Sequence, residues 1–406
     1  MTFGPRCLRQ LRSHSGFAFR SLSLQTASDA PQTSRSSVWS PTNDPAKFTA
    51  DHQGLWYQFP RDHANSVHTP NFLPLFYRRQ VETFEEWAFM IRKPFVDLIA
   101  CMRHTHPDVP NITVRLVLTL LNYYIALNFS VVLGKNGTGK SITLCQLTHY
   151  AHLQDWIVCN FPNPPRWNWV FREIAMSTWK PGRIDIPIEA GEWLKSFQSL
   201  NGHLLEKYDL RTSKEYTWSA REKTEPNEPL MNVVTTGINR VRFASDCIGV
   251  LLKELKQCAS AKKVKLLVSI DAANAVFTHT RIKREDRTNA PPEAVSLNLH
   301  LRKLMRNDWN NGMTVLVAES RLKGHQNYPS HLPYHVFGPE GFELLDPFVP
   351  IALENLSDIE ARGMINYFIE KNWLQHPKGK TEEGINQLIH LSGHNPLSLE
   401  RLCAVW

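Results

Sequence analysis

Residues 131–144 read VVLGKNGTGKSITL, and this stretch decides the fold because a glycine-rich turn joins an apolar run to a helical pattern. Gly134, Gly139, Lys140 and Ser141 match the pattern G-x-x-x-x-G-K-[ST] without a deviation. In that pattern the glycines let backbone N–H groups turn toward phosphates, the lysine reaches the outer phosphates, and the hydroxyl ligates magnesium. The stretch therefore predicts a binding site for a nucleoside diphosphate or triphosphate with Mg²⁺.

A magnesium site of this kind needs a carboxylate at the end of a second strand. The segment KLLVSIDAANAVF supplies Asp271 directly after an apolar strand pattern. An acid at such a position is also common as a helix cap, but the upstream loop favours the magnesium role. The predicted metal ligands are Ser141 and Asp271, and the predicted nucleotide-binding residues are Gly134, Lys135, Asn136, Gly137, Thr138, Gly139, Lys140 and Ser141.

The residues after Asp271 argue against fast hydrolysis. Related ATPases place a glutamate next, to activate the attacking water, whereas this chain has Ala272 and Ala273. Asn274 is able to orient a water but not to act as its base. Glu319 and Arg321 are either a sensor and a charge stabiliser for the γ-phosphate or a surface pair, and the sequence leaves both readings open. No catalytic residue is assigned, and at most slow hydrolysis of GTP or ATP is expected.

Short apolar strands alternate with helical patterns around the loop. This alternation predicts an α/β fold, with a parallel sheet covered by helices on both faces. The predicted strands are 131–133, 155–161, 265–270 and 314–319, with helices at about 231–256 and 293–308. The first of these helices carries the apolar stripe Val234, Ile238, Val241, Ser245, Ile248, Leu252 and Leu255.

The chain is expected to divide into four parts. These are a mitochondrial transit peptide (1–30), a partly helical N-terminal extension (31–115), the α/β domain (116–345) and a C-terminal helical lid domain (346–406). Within the extension, Pro94 is expected to separate two helices over 82–104. In the last part, Ser357 and Glu360 predict a capping box, and Asn395 with Pro396 predicts the start of a final helix.

Composition and charge indicate the cellular compartment of the protein. Six of the basic residues lie in 1–50 against two acids, so this segment supplies four of the eight net positive charges. Its first 28 residues are rich in Arg and Ser and lack acids, which is typical of a mitochondrial transit peptide, although a disordered basic tail has the same composition. Seven scattered cysteines without a CxxC pair indicate thiols in a reducing compartment, such as the mitochondrial matrix. The uncharged run 116–133 is interrupted by polar residues and leads into the loop, so no membrane span is predicted.

Two further segments are candidates for RNA contact. RIKREDR (281–287), with Arg302, Lys303 and Arg306 on the next helix, is either a phosphate-binding cluster or a solvated face. PPRWNWVF (164–171) places tryptophans beside an arginine, as stacking platforms do. Because the chain has 12 tryptophans, packing is the commoner explanation for the second segment.

Several longer segments are more distinctive than the loop alone. They include FMIRKPFVDL (89–98), GKNGTGKS (134–141), EYTWSAREKTE (215–225), GINRVRFASDCIGVLLKELK (237–256), KREDRTNAPPE (283–293) and NWLQHPKGKTEEG (372–384). Together these segments resemble the death-associated protein 3 family of the mitochondrial small ribosomal subunit. The resemblance spans about 80–406 and is specific, because other nucleotide-binding proteins share only the loop and Asp271. One departure is an apolar stretch of about fifteen residues, 116–130, which is either an inserted helix or an artefact of the gene model.

The resemblance implies a purine-nucleotide-binding, AAA-like P-loop domain built into the ribosomal head. The partners it implies are mitochondrial small-subunit rRNA, neighbouring mitoribosomal proteins and, at the intersubunit face, a bridge to the large subunit. On this basis the chain is expected to be a structural protein that supports mitochondrial translation. The alternative is a free-standing mitochondrial ATPase or GTPase switch, and the missing glutamate after Asp271 argues against it.

Overall fold

The computed structural model describes residues 38–60, 73–105, 129–319, 330 and 332–405, all within one compact unit, and every structural statement below concerns these residues. The predicted transit peptide and most of the apolar stretch 116–130 lie outside them. Phe129 and Ser130, the last two residues of that stretch, belong to a strand that runs into the phosphate loop.

Five parallel strands form the central sheet. Their order is Val349–Ala352, Phe129–Leu133, Gly312–Val317, Leu266–Ile270 and Ile157–Phe161, and each neighbouring pair is parallel. In chain order the strands of the structure are β1 (Trp56–Gln58), β2 (Ala88–Met90), β3 (Phe129–Leu133), β4 (Ile157–Phe161), β5 (Ala175–Met176), β6 (Ile184–Asp185), β7 (Tyr216–Thr217), β8 (Lys223–Thr224), β9 (Leu266–Ile270), β10 (Gly312–Val317) and β11 (Val349–Ala352).

Helices cover both faces of this sheet, as the alternation of elements predicts. In chain order they are α1 (Leu75–Phe84), α2 (Lys93–Arg103), α3 (Lys140–Leu153), α4 (Pro165–Trp169), α5 (Pro187–Lys207), α6 (Leu230–Asn239), α7 (Ala244–Ser260), α8 (Ser296–Leu304), the kinked α9 (Pro333–Leu345), α10 (Asp358–Glu370), α11 (Glu382–Ser392) and α12 (Pro396–Val405). Alternate strand residues enter different apolar clusters: Val268 packs with α5 to α8, and Leu267 packs with α2 and α3. Burial on both faces explains why these strands read as continuous apolar runs.

The prediction of one long helix at about 231–256 is wrong, because the chain forms two helices there. Arg240 leaves helical geometry (φ −118°, ψ 73°), and a short 3₁₀ turn, Val241–Phe243, separates α6 from α7. The turn buries Phe243 in the core and leaves Val241, a member of the predicted stripe, 37% exposed. The regular spacing across the break therefore does not reflect one continuous buried face.

The N-terminal extension also differs from its prediction. Of the two helices predicted on either side of Pro94, the second is confirmed as α2, but the first is wrong, because residues 88–90 form strand β2, which pairs antiparallel with β1. Pro94 lies in the first turn of α2, where a missing N–H costs no hydrogen bond. This strand pairing joins distant segments, so the local helical spacing before Pro94 is misleading.

The C-terminal part is helical only from Asp358 onward. Val349–Ala352 is an edge strand of the central sheet, paired with β3, so the expectation of helices throughout 346–406 is wrong. The strand is short and contains Pro350. Proline has no N–H to donate and is tolerated mainly at the edge of a sheet, so the sequence of this segment does not look like a strand. The predicted capping box is confirmed, because Ser357 and Glu360 each accept a hydrogen bond from the other's backbone N–H. The division into domains stays a prediction.

The N-terminal hairpin and the C-terminal helices share a third apolar cluster. Trp56 of β1 stacks on Tyr367 of α10 with the ring centroids 3.8 Å apart and the planes at 11°. Ala88 and Met90 of β2 are buried in the same cluster. Because β2 leads directly into Arg92, this packing fixes one side of the phosphate loop. Among the helices that the structure describes, none combines the length and the apolar character that a membrane crossing needs.

Candidate functional site

The predicted phosphate loop lies at the carboxyl edge of the sheet, between β3 and α3. Gly137 and Gly139 adopt φ values of +80° and +97°, which residues with a side chain rarely adopt. Gly134 has a different requirement, because a Cβ atom there would lie 2.3 Å from the carbonyl oxygen of Leu353. Glycine is therefore required at these three positions for different reasons, two of them conformational and one steric.

Lys140 is buried inside the loop. Its Nζ donates to the carbonyl oxygens of Gly134 at 2.9 Å and Lys135 at 2.7 Å. An ammonium has three donors, so among the described contacts one donor remains for an outer phosphate oxygen. Burial lowers the pKa of Lys140, and the negative charges of Asp271 and Glu319 partly offset that shift.

The two predicted metal ligands come together in the structure. Asp271 directly follows β9, and the hydroxyl of Ser141, in the first turn of α3, hydrogen-bonds to its carboxylate. Burial raises the pKa of Asp271, whereas Ser141, the N–H of Ala272 and the charge of Lys140 lower it. A hydroxyl and a buried carboxylate are oxygen ligands of the kind that Mg²⁺ takes alongside phosphates and waters. The donor set fits the metal, and its role as a ligand set stays a prediction.

A cavity of about 370 Å³ adjoins this pair. It is lined by Ser141, Asp271, Arg78 and Arg166, together with the carboxylates Glu189 and Glu192. Arg166 belongs to the segment PPRWNWVF, whose tryptophans do not form an exposed platform. Trp167 and Trp169 are buried, and the Nε1 of Trp169 donates to the carbonyl of His279 at 3.0 Å, so packing explains them.

The residues after Asp271 form a tight turn without a general base. Ala272 adopts a left-handed conformation (φ 49°, ψ 42°). Asn274 is fully buried, and its side-chain amide both donates to and accepts from the backbone of Glu319, at 3.0 Å in each case. The amide proposed to orient a water therefore holds the end of β10 instead. Glu319 lies close enough to Lys140 to raise its pKa, and Arg321 lies outside the described residues.

Arg92 is a site residue that sequence reasoning misses. Its guanidinium is buried and donates to the carbonyl of Thr138 at 2.6 Å and to that of Glu354 at 3.1 Å. It also forms an ion pair with Glu360, the capping residue of α10, at 3.2 Å. Arg92 therefore links the loop to the C-terminal helices. No local pattern signals this, because every partner is distant in the chain.

The start of α12 forms the second tether. The Nδ2 of Asn395 donates to the carbonyl of Asn136 at 3.0 Å, and the N–H of Leu397 donates to that of Gly137 at 3.3 Å. The sequence identifies Asn395 as a helix cap, which is confirmed by its Oδ1 accepting from the N–H of Ser398 at 3.2 Å. The sequence does not indicate that the same side chain holds the loop.

Together these contacts account for the whole carbonyl edge of the loop. Each carbonyl from residue 134 to residue 139 accepts a hydrogen bond from the protein, the last one from the N–H of Thr143 at 3.0 Å. In a trans peptide the N–H points away from the C=O of the same unit. The protein therefore fixes the orientation of every peptide unit in this edge: the carbonyls of 134 and 135 bind Lys140 Nζ inside the loop, and the others bind Asn395, Leu397, Arg92 and Thr143.

The basic cluster proposed for RNA contact divides in the structure. Arg302 is buried, its Nε donates to the carbonyl of Val276 at 3.1 Å, and it forms ion pairs with Glu293 and Glu340. It therefore has a structural role. Lys303 and Arg306 line a separate cavity, to which 281–287 contributes no side chain among the described residues.

The fold and the site define a class of protein: an α/β protein with a five-stranded parallel sheet and a glycine-rich strand–loop–helix at its carboxyl edge. The family model of mitochondrial ribosomal death-associated protein 3 matches residues 126–402. The small ribosomal subunit protein mS29 of Bos taurus is 39% identical over 362 residues, which cover 89% of this chain and 86% of that protein. The protein of the same name from Mus musculus is 38% identical over 381 residues, covering 94% and 92%.

The chain belongs to the mitochondrial ribosomal death-associated protein 3 family. The resemblance in its sequence motifs is thereby confirmed. The finer assignment to the AAA-like P-loop NTPases stays a prediction.

Proposed function

We propose that this chain is a structural component of the mitochondrial small ribosomal subunit, located in the mitochondrial matrix, and that it holds a purine nucleotide as part of its folded state. The names of its bovine and mouse relatives support the ribosomal assignment. In that setting its partners are the small-subunit rRNA, neighbouring mitoribosomal proteins and, across the intersubunit face, the large subunit.

Nucleotide binding is supported by one observation: every backbone carbonyl of residues 134–139 accepts a hydrogen bond from the protein. Because the carbonyls of 134–139 are bound by Lys140, Arg92, Thr143 and the start of α12, the peptide units of the loop are held in one orientation, which favours N–H donors that are preorganised for an anion. Preorganised donors bind a phosphate without first giving up other contacts. GTP and ATP fit this geometry equally, since the loop contacts phosphates and not the base.

The residues of the site have distinct roles in this proposal. The backbone amides and Lys140 would hold the phosphates, and Ser141 and Asp271 would hold Mg²⁺. The metal, when bound, neutralises phosphate charge. It also compensates the buried carboxylate of Asp271, whose pKa is raised by burial. Bound nucleotide thus stabilises the contacts that join β3, α2 and the C-terminal helices.

The same geometry favours retention over turnover. Ala272 stands where a general base is expected, and the buried amide of Asn274 is bound to Glu319. The second candidate is a free-standing mitochondrial GTPase or ATPase switch. One observation favours it, namely that Glu319 lies near Lys140, where a γ-phosphate sensor would be.

Sucrose-gradient sedimentation of a mitochondrial extract tests the proposal, with nucleotide extracted from the peak fractions. We expect the chain to co-migrate with the small subunit and to release one purine nucleotide per chain. Lys140→Ala should lower both nucleotide content and co-migration. Lys195→Ala is the matched control, because it removes an exposed lysine that lies outside the loop. A free protein with rapid phosphate release would establish the switch instead.

A further inference from the structure

A second, larger cavity of about 810 Å³ shares no lining residue with the one beside Ser141 and Asp271. It lies between helices α7 and α8, the β7 hairpin and the segment 178–183. Six cationic side chains line it: Arg183, Lys214, Lys253, Lys256, Lys303 and Arg306. They come from separate segments of the chain, so only the fold brings them together.

Three carboxylates also line this cavity and compensate part of the charge. Asp308 forms an ion pair with Lys256, and Glu215 is paired with Lys223 at 3.5 Å. The third, Asp246, is half-buried, and desolvation together with the charge of Asp185 raises its pKa to about 6. A net positive charge therefore remains on the cavity wall.

The uncompensated cations repel one another. Burial and the neighbouring Lys214 lower the pKa of Lys253. Burial and the charges of Arg183, Arg306, Lys180 and Lys253 lower the pKa of Lys303. Glu254 offsets part of this repulsion at Lys253, and a bound polyanion would offset the rest. The site within the phosphate loop differs, because there carbonyls and carboxylates surround its one buried lysine, Lys140.

Aromatic rings accompany the cations. Tyr216 and Trp218 lie nearly parallel, with their ring centroids 6.3 Å apart and the planes at 24°, and Lys214 Nζ lies 5.3 Å from the Tyr216 ring centroid. Both rings are anchored, by hydrogen bonds to Glu254 and to Thr224. At the rim, Trp179 is 73% exposed, and the neighbouring Met176 is 59% exposed. Base–aromatic stacking beside a cationic groove is how single-stranded nucleic acid is bound without sequence preference.

We propose that this cavity binds a single-stranded RNA segment, with its phosphates on Lys214, Lys253 and Lys303 and a base stacked on Trp179. A cavity of this size, with cations on several of its walls, exceeds what one phosphate requires. An acidic protein segment satisfies the charge but gives the exposed indole no planar partner. The choice of RNA as the polyanion rests on the proposed ribosomal function, whereas the site itself rests on its own geometry.

Fluorescence anisotropy with a labelled twelve-nucleotide oligouridine tests the site on the full purified chain. The combined variant Lys214→Ala, Lys253→Ala, Lys303→Ala should lose at least about tenfold in affinity. Its slope of log K against log salt should fall by about two, since each phosphate contact on a single strand contributes roughly 0.7. The matched control replaces Lys195, Lys378 and Lys380, three exposed lysines elsewhere, and should lose less than about twofold.

A second variant separates stacking from charge. Trp179→Ala should weaken the oligouridine by about tenfold, with Trp179→Phe restoring most of the affinity. Zero-length crosslinking with 4-thiouridine should label peptides that contain Trp179 or Tyr216. Equal losses in the two lysine triplets, or crosslinks confined to other segments, would overturn the proposal. So would a polyglutamate peptide that binds here as tightly as the RNA and is insensitive to Trp179.

The same variants keep this inference distinct from the proposed function. Lys140→Ala should abolish nucleotide binding and leave the RNA affinity unchanged, and the cavity variants should retain nucleotide. If the chain sediments free of the small subunit while the cavity variants still lose RNA, the ribosomal assignment fails and the RNA site stands.

Discussion

The phosphate loop and the basic cavity use positive charge in opposite ways. In the loop, Lys140 is buried among carbonyls and near two carboxylates, so the protein itself compensates the charge. In the cavity, Lys253 and Lys303 are crowded by other cations, and their pKa values are lowered partly for that reason. A compensated cation belongs to a rigid, preformed site for a small ligand. We expect a cluster of cations that carboxylates compensate only in part to bind a polyanion.

The largest effect is expected for a substitution at the phosphate loop. Arg92→Ala removes the guanidinium that joins Thr138 to Glu360 and leaves the carboxylate of Glu360 buried without its partner. Loss of one member of a buried ion pair costs about 3–5 kcal/mol. Urea unfolding should show a loss of this size together with weaker nucleotide binding, while RNA affinity stays unchanged.

The control for Arg92 is Arg362→Ala on the same C-terminal helices. Arg362 forms a pair with Glu382 at 2.8 Å, but both side chains are substantially exposed. Such a pair contributes less than about 1 kcal/mol. If the two variants were equally stable, the proposed link between the loop and the C-terminal helices would be wrong.

A smaller effect of opposite sign is expected at the turn after Asp271. Ala272 has φ 49°, a left-handed conformation that costs a residue with a Cβ about 1–2 kcal/mol relative to glycine. Ala272→Gly should therefore stabilise the fold by up to about 1 kcal/mol, after the greater chain entropy of glycine in the unfolded state is subtracted. Thermal unfolding measures it. Ala259→Gly, inside α7, should instead destabilise by about 1 kcal/mol, and a loss in both variants would contradict the strain.

A pH-dependent effect is expected at the cavity. Burial and the charges of Lys303 and Arg183 lower the pKa of His300, which lines the cavity, to about 4. The folded-state pKa lies below the unfolded value of about 6.5. The neutral His300 side chain therefore contributes its full stability above pH 6.5, and that stability is lost as the pH falls toward 4. By pH 4 the loss should be about 3 kcal/mol, since each pKa unit corresponds to about 1.4 kcal/mol.

His300→Gln should flatten that part of the pH profile in equilibrium unfolding. Bound oligouridine should reduce the acid-induced loss in the wild-type chain, since phosphates offset the repulsion from Lys303 and Arg183. A wild-type profile that is flat between pH 6.5 and 4 would show that His300 is not buried against these cations.

Features encoded by short segments are those that the sequence predicts well. The strand–loop–helix around Gly134 to Ser141, the position of Asp271 after a strand and the capping box at Ser357 all follow from neighbouring residues. The parallel sheet follows from the alternation of apolar runs. The family resemblance rests on longer segments and is confirmed by the comparisons.

Features that depend on distant contacts escape the sequence. Nothing local to Arg92 or Asn395 indicates that they bind loop carbonyls, because their partners lie in other parts of the chain. Strand β2 exists because it pairs with β1, and β11 because it pairs with β3, and neither has a strong strand pattern of its own. The basic cavity likewise assembles lysines from several segments, so linear clusters such as 281–287 are poor guides to it.

We propose that the loop holds a nucleotide as part of the fold and does not turn it over. The most direct measurement compares urea unfolding of the purified chain with Mg²⁺ and GTP, ATP or their non-hydrolysable analogues. At about one hundred times the dissociation constant, the preferred nucleotide and its analogue should each add about 2.7 kcal/mol to the free energy of unfolding, and neither should stabilise Lys140→Ala. No stabilisation by any of these nucleotides, or stabilisation by the analogue alone with rapid phosphate release from the natural nucleotide, would contradict the claim.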